Sequence, residues 1–274
     1  MLKKIPRLPP YASSLAAKLM DPNVNVGDIS QMIKSDPSLT ALTLKVANSG
    51  YYSFPMKITN INQAVMLLGV KQIYRMVMDQ SLKNFFPPAF PEFEQLQKHS
   101  YLVSIITEEI ADATGRLHLA GLVNTLGLLH DIGRSVIMLL KRKNPQFNEK
   151  LDMVDHVRLG GQLLAQWGLP EPIYSAIRDY AELKSLPPDD VPHIIRDDVA
   201  ILHVAHVCAA LVLDDGEALA DNVLYGRCMT WLGAEGVAAD RFWKEKLSKR
   251  LASRLRNFPE NIQAVLKKHL SLAW

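Results

Sequence analysis

Gly127-Leu128-Leu129-His130-Asp131-Ile132-Gly133 is the stretch on which the reading of this chain turns. An imidazole and a carboxylate stand side by side in an otherwise apolar run. Both groups are common ligands of first-row divalent metals. A carboxylate taken out of water without a cation, a partner or hydrogen bonds is costly, so Asp131 in this setting asks for one of them. A plainer reading is also open: the run ends a helix, and Gly133 is its stop. The positions of the other histidines bear on the choice.

Working outward, His99 falls on a predicted helix whose apolar face carries Val103, Ile106 and Ile110. His156 precedes Gly160 and Leu164 on a predicted helix that ends near Trp167-Gly168-Leu169-Pro170. His206 shares a face with Leu202, Ala209 and Leu213. One histidine on an apolar stripe is ordinarily a core residue. Three, on separate helices, together with His130 and Asp131, match the way helix bundles build metal sites from facing side chains. His118, His193 and His269 lack that setting and read as surface or cap residues. His203 lies one position off the His206 stripe and fits either reading.

The chain has 274 residues, 48% of them hydrophobic, enough for a sizeable core in one large or two small domains. Lys and Arg number 31 against 28 Asp and Glu. That near balance gives no electrostatic case for nucleic acid as a ligand. Cys208 and Cys228 are far apart in sequence, which fits a reducing compartment better than a disulfide framework. After Met1, Lys3 and Lys4 no apolar signal-peptide core follows, and Pro6, Pro9 and Pro10 interrupt. The longest apolar stretch, Val199 to Leu213, holds two histidines and is too short to span a bilayer. The expectation is a cytoplasmic protein with no membrane segment.

Periodicity is helical nearly throughout, with no convincing alternation of strand type. Asp36-Pro37 places a cap residue before a first-turn proline. Asn60 with Gln63 fits a capping box, and Ala64, Leu67, Leu68 and Ile73 continue an apolar face. Gly50, Gly69 and Gly115 read as helix stops or tight turns. Breaks are expected at Phe85 to Pro91, at Leu186 to Pro192 and at Asp214-Asp215-Gly216. A short helix, a charged helix from about Asp240 to Arg256 and a last helix after Phe258-Pro259 should follow. The predicted class is all-α and two-lobed. Residues 1–90 form an N-terminal lobe, 91–213 a second lobe with the metal pocket, and 214–274 a C-terminal helical extension.

The order His, His-Asp, His is that of HD-superfamily proteins, and the likeness extends further. Leu8-Pro9-Pro10, Ile33-Lys34-Ser35-Asp36-Pro37-Ser38-Leu39, Ala47-Asn48-Ser49-Gly50-Tyr51-Tyr52 and the run from Ile58 to Gly69 resemble the N-terminal half of an HDOD domain. His99-Ser100, then the His130 stretch, then His156 with Gly160 and Trp167-Gly168-Leu169-Pro170 continue the resemblance over roughly residues 5 to 210. It implies an all-helical relative of the HD and HD-GYP metal-dependent phosphohydrolases. It also implies a bacterial role in signal transduction, usually without demonstrated catalysis.

The chain departs from the catalytic HD-GYP pattern at several ligand positions. Gln95 stands one helical turn before His99, where those relatives carry a Glu. Asp179-Tyr180-Ala181 stands in place of a His-His-Glu run. Ala205-His206 replaces an Ala-Asp step, and the Gly-Tyr-Pro signature is absent. The resemblance therefore implies metal ligands at His99, His130, Asp131 and His156, with His206 as a substitute and Asp179 able to lend an oxygen. With so few carboxylates the set suits at most one divalent transition metal, Fe, Mn, Ni or Zn.

Two functions remain open at this point. One is a non-catalytic signalling module with protein partners and a residual metal or ligand pocket. The other is a metal-dependent phosphohydrolase acting on a nucleotide or another phosphoester. In the second, Asp131 is the catalytic residue, while Arg134, Lys141 and Arg142 meet phosphate or simply face solvent. Cys208 reads as a small core residue. Met56, Met66, Met76 and Met78 fit either core or interface, and the loop bearing Tyr51, Tyr52 and Phe54 fits a partner surface.

Overall fold

A computed structural model of the chain describes residues 10–19, 21, 23–35, 37–48, 56–83, 91–180, 193–213 and 222–270. Every regular element among them is helical. The first five helices are α1 (Pro10–Leu19), α2 (Val26–Lys34), α3 (Pro37–Ala47), α4 (Ile61–Leu68) and α5 (Val70–Lys83). Side-chain caps start two of them. The Asn25 side-chain oxygen accepts the Asp28 N–H at 3.0 Å, and that of Asn60 accepts the Asn62 N–H at 2.8 Å. Gly69, at φ 75°, separates α4 from α5, as the sequence predicts. Asn48 fixes the return of the chain by pairing with both the carbonyl and the N–H of Ile58, each at 2.7 Å.

The 23-residue α6 (Pro91–Ala113) runs through the centre. It is followed by α7 (Ala120–Leu129), α8 (Ile132–Lys143), α9 (Asn148–Asp152), α10 (His156–Gln166), α11 (Glu171–Asp179) and α12 (His193–Leu213). The remaining helices are α13 (Asn222–Trp231), α14 (Ala239–Phe242), α15 (Ser248–Ser253) and α16 (Glu260–Leu270), with a π-helical turn Trp243–Leu247 joining α14 to α15. α6 packs on α7 and α12, while α10 packs on α8 and α11. One continuous apolar core runs from Leu15 through Val103, Leu126 and Leu202 to Leu270. It joins the N-terminal, central and C-terminal helices.

One sequence expectation changes on this framework, at Leu67, and two open readings are decided. Gly133 is not a stop: α7 ends at Leu129, and Gly133 lies in the first turn of α8. Leu67 leaves the apolar face and is exposed, because Ile61, Ala64, Val65 and Leu68 already form the inward stripe of the short α4. The methionines divide, with Met76 and Met78 in the core and Met56 and Met66 in solvent. Cys208 is fully buried, and burial pushes its thiol up to about 12, in keeping with a core role. Asp36, Gly50, the aromatic residues at 51, 52 and 54, and the breaks at 84–90, 186–192 and 214–216 lie outside the described residues. Pro91, last of the expected first break, opens α6.

Candidate metal centre

The break between α7 and α8 builds the site. The His130 N–H still closes α7 on the Leu126 carbonyl, at 2.8 Å. The backbone then leaves the helical region at Asp131 (φ −99°, ψ 14°), which caps α8. Both side chains are driven into the core, His130 at 6% and Asp131 at 3% exposure. The His130 Nδ1 lies 2.8 Å from the Gly127 carbonyl. A carbonyl only accepts, so Nδ1 carries the proton, and in the neutral ring Nε2 carries the lone pair. That Nε2 faces the Asp131 Oδ2 at 3.4 Å, too long for a well-formed hydrogen bond. Neither buried atom has a hydrogen-bond partner among the described residues. Two acceptors turned toward each other in a dry site need a proton or a cation between them.

His99 on α6 and His206 on α12 complete the arrangement. The ring centroids are 5.3 Å apart for His99 and His130, 4.8 Å for His99 and His206, and 5.6 Å for His130 and His206. One nitrogen from each ring can be chosen so that all three lie within 4.8 Å of one another. A tetrahedral ion with ordinary Zn–N bonds wants its nitrogens about 3.4 Å apart, so small side-chain rotations close the set. The His99 Nε2 is also 3.9 Å from the Asp131 Oδ2.

Electrostatics agree with a cation-seeking centre. Burial pushes the Asp131 carboxyl up, but His130, Arg134 and His99 outweigh it and hold the group well below the usual carboxylate range. Burial pushes His130 down, yet the Asp131 carboxylate and the Gly127 carbonyl leave it raised. His206 is pushed down to about 2 by burial and by His130 and His99, so its ring is neutral and can ligate. These residues fit one divalent transition ion in ligand type, burial and orphaned valence.

Other candidate residues fall around this cluster. His156 opens α10, half-buried; burial and then Arg134 lower its pKa. It stands within electrostatic reach of Asp131 and His130 but outside the three-imidazole group. Arg134 is half exposed at the edge of the site, its Nε 3.4 Å from the Asp131 Oδ1. Lys141 is instead paired with Asp152, nearly three turns along α8 from Asp131. Gln95 is exposed, and Asp179 is bound by its neighbour Arg178 at 2.6 and 2.9 Å. His118 is exposed, as expected.

Sequence reasoning left two features unread. His203 is buried, and its Nδ1 pairs with the Tyr180 hydroxyl at 2.9 Å. Asn124, fully buried on α7, donates to the Ser104 carbonyl at 2.9 Å and to Glu108 at 3.3 Å. The Asn124-Thr125 pair inside an apolar run was the available signal for the second.

An all-helical bundle that gathers histidines from separate helices around a His-Asp step has the architecture of the HD superfamily. Residues 5–183 match the HDOD domain, and the chain belongs to that family. An uncharacterized protein of Treponema pallidum (strain Nichols) is 26% identical over 205 residues, which cover 69% of this chain and 40% of that protein. The chain thus spans less than half the length of this relative. An HDOD domain protein of unknown function from Geobacter sulfurreducens shares the fold at TM-score 0.65 and 24% identity, over 96% of this chain and 92% of that one. A Shewanella amazonensis SB2B protein described as a candidate metal-dependent phosphohydrolase does so at TM-score 0.59 and 19% identity, over 97% and 95%.

Proposed function

We propose that the chain is a regulatory HDOD module of bacterial signalling, cytoplasmic and non-catalytic, whose pocket retains one divalent transition metal. The observation that supports it is the composition of the cluster. Among the described residues three imidazoles, His99, His130 and His206, converge with one carboxylate, Asp131, while Gln95 is a neutral amide in solvent and Asp179 is held by Arg178. Two adjacent dications repel strongly where one carboxylate is all that offsets them. Among the described residues a two-metal clamp on the attacking and leaving oxygens of a phosphodiester lacks the further carboxylates that would hold its second ion. The expected ligands of the module are protein partners, with a phosphate-containing small molecule as a second class.

A single-metal phosphohydrolase is the second reading, favoured by Arg134 beside Asp131 at the exposed edge of the site. His99, His130, His206 and Asp131 would hold the ion, whose chemistry there would be activation of a water and polarisation of a phosphoryl oxygen. Arg134 would grip the phosphate, and His156 would orient it.

Elemental analysis of the purified full chain, with a screen of phosphoesters and cyclic dinucleotides, tests the assignment. At most one metal per chain and no turnover are expected. Two metals per chain, or turnover abolished by Asp131→Ala, overturn it in favour of an enzyme.

A further inference from the structure

Two helices carry the facing imidazoles, and the same two meet again at both other points of a ladder. At one end the His99 and His130 rings stand with centroids 5.3 Å apart. In the middle α7 comes down on α6 so closely that a Cβ on Gly127 would lie 2.6 Å from the Ser104 Cα. At the far end Asn124 on α7 donates to the Ser104 carbonyl and to Glu108 on α6. Pairing of 99 with 130, 104 with 127 and 108 with 124 makes the helices antiparallel and fixes their register.

The far rung is also where the outer parts of the chain take hold. Glu108, side chain 12% exposed, receives Arg75 at 2.9 Å and Lys71 at 3.2 Å from α5, and both Nη atoms of Arg254 at 3.4 Å from the end of α15. Arg75 is buried as well and lies over the Tyr101 ring of α6 at 5.6 Å. Arg254 reaches Glu109 at 2.5 Å, and Arg250 pairs with Asp112 one turn further on. One half-buried carboxylate is thus shared by the N-terminal helices, the C-terminal helices and the Asn124 amide. Hydrogen bonds to a buried charge are stronger than neutral ones, and removing a cation from such a carboxylate forces its other partners to compensate.

We infer that Glu108 and Asn124 are positioning residues for the histidine cluster. They set the approach of α7 on α6, and with it the spacing of His99 and His130, under the pull of Lys71 and Arg75 on one side and Arg254 on the other. A partner that displaces α5 or the C-terminal helices reaches the cluster through this carboxylate. The inference rests on the metal reading for its functional meaning, and its geometric part stands without it.

The test uses the full chain, wild type against Glu108→Gln, with Arg241→Met as a control at an exposed pair elsewhere. Two readouts are taken: cobalt(II) titration followed by visible absorption, and the imidazole resonances of His99, His130 and His206 in metal-free protein. Glu108→Gln is expected to weaken cobalt(II) binding about tenfold and to move the His99 and His130 resonances, while Arg241→Met does neither. A folded Glu108→Gln variant with unmoved resonances and affinity within about twofold of wild type overturns the inference, even if it melts earlier. Wild type that takes up no cobalt(II) refutes the metal reading instead, and the imidazole shifts alone then decide the positioning role. If Glu108→Gln does not fold, Lys71→Met and Arg254→Met each remove one half-exposed arm, and the same shifts are expected of them.

Discussion

The carbonyl oxygen of His156 lies 1.8 Å from the point where a Cβ on Gly133 would stand. α10 therefore rests directly on the first turn of α8, and its opening residue is brought beside Asp131. No side-chain rotation relieves a contact between a Cβ and backbone. Gly133→Ala should destabilise the protein by about 3 kcal/mol through displaced helices, measured by urea unfolding. Gly226 is the counter-case, an exposed residue within α13 with nothing near its missing Cβ. Gly226→Ala should stabilise by about 0.5–1 kcal/mol, since a helix interior favours alanine.

The three-imidazole cluster separates His206 from His156. His206→Ala and His130→Ala should each weaken cobalt(II) binding more than about 100-fold, because each removes a ligand from a set with little to spare. His156→Ala should cost less than about tenfold, as expected of a residue at the edge. Equal losses for His156 and His206 in the absorption titration would assign the ligand set wrongly.

Much of this site was legible because helical spacing is rigid. Val103, Ile106, Ile110, Leu202 and Ala209 are buried, and His99 and His206 on the same faces are half-buried where the two helices meet. The His130–Asp131 step was legible because so polar a pair inside an apolar run needs a reason. Gly133 was ambiguous because a glycine required by a neighbouring helix looks, in one dimension, like a glycine that ends its own. His203 was ambiguous for a similar reason: its partner, Tyr180, is 23 positions away, just past the end of another helix. The Glu108 network was invisible because its cations come from residues 71, 75 and 254. Only the fold brings these together.

The Tyr180–His203 contact has a measurable weight. Tyr180→Phe keeps the ring packed against Val199 and removes the hydroxyl that bonds the His203 Nδ1. The loss should be about 1 kcal/mol, read from denaturant midpoints. A change of less than a few tenths would mean that the hydroxyl is equally well served by water.

Asp198 provides the pH dependence. It is 5% exposed, and its Oδ1 has no hydrogen-bond partner among the described residues. Burial raises its pKa to about 7, with a further push from Asp197. Neighbouring cations are engaged elsewhere: Arg116 binds Asp197 at 2.7 Å, and Arg196 lies over the Trp231 ring at 5.3 Å. In the unfolded chain Asp198 ionises near pH 4. Between about pH 4 and pH 7 the folded state therefore holds a proton that the unfolded state has lost. For this group stability falls as pH rises through that window, then levels off. Asp198→Asn replaces the protonated acid by an amide of the same shape and removes the fall. The variant should gain on wild type progressively from pH 4.5 upward, reaching about 2–4 kcal/mol at pH 8. Urea unfolding of both proteins at matched pH isolates this group from the other titrating side chains. A stability difference that stays constant from pH 4.5 to pH 8 would show that Asp198 is ionised, and partnered, throughout.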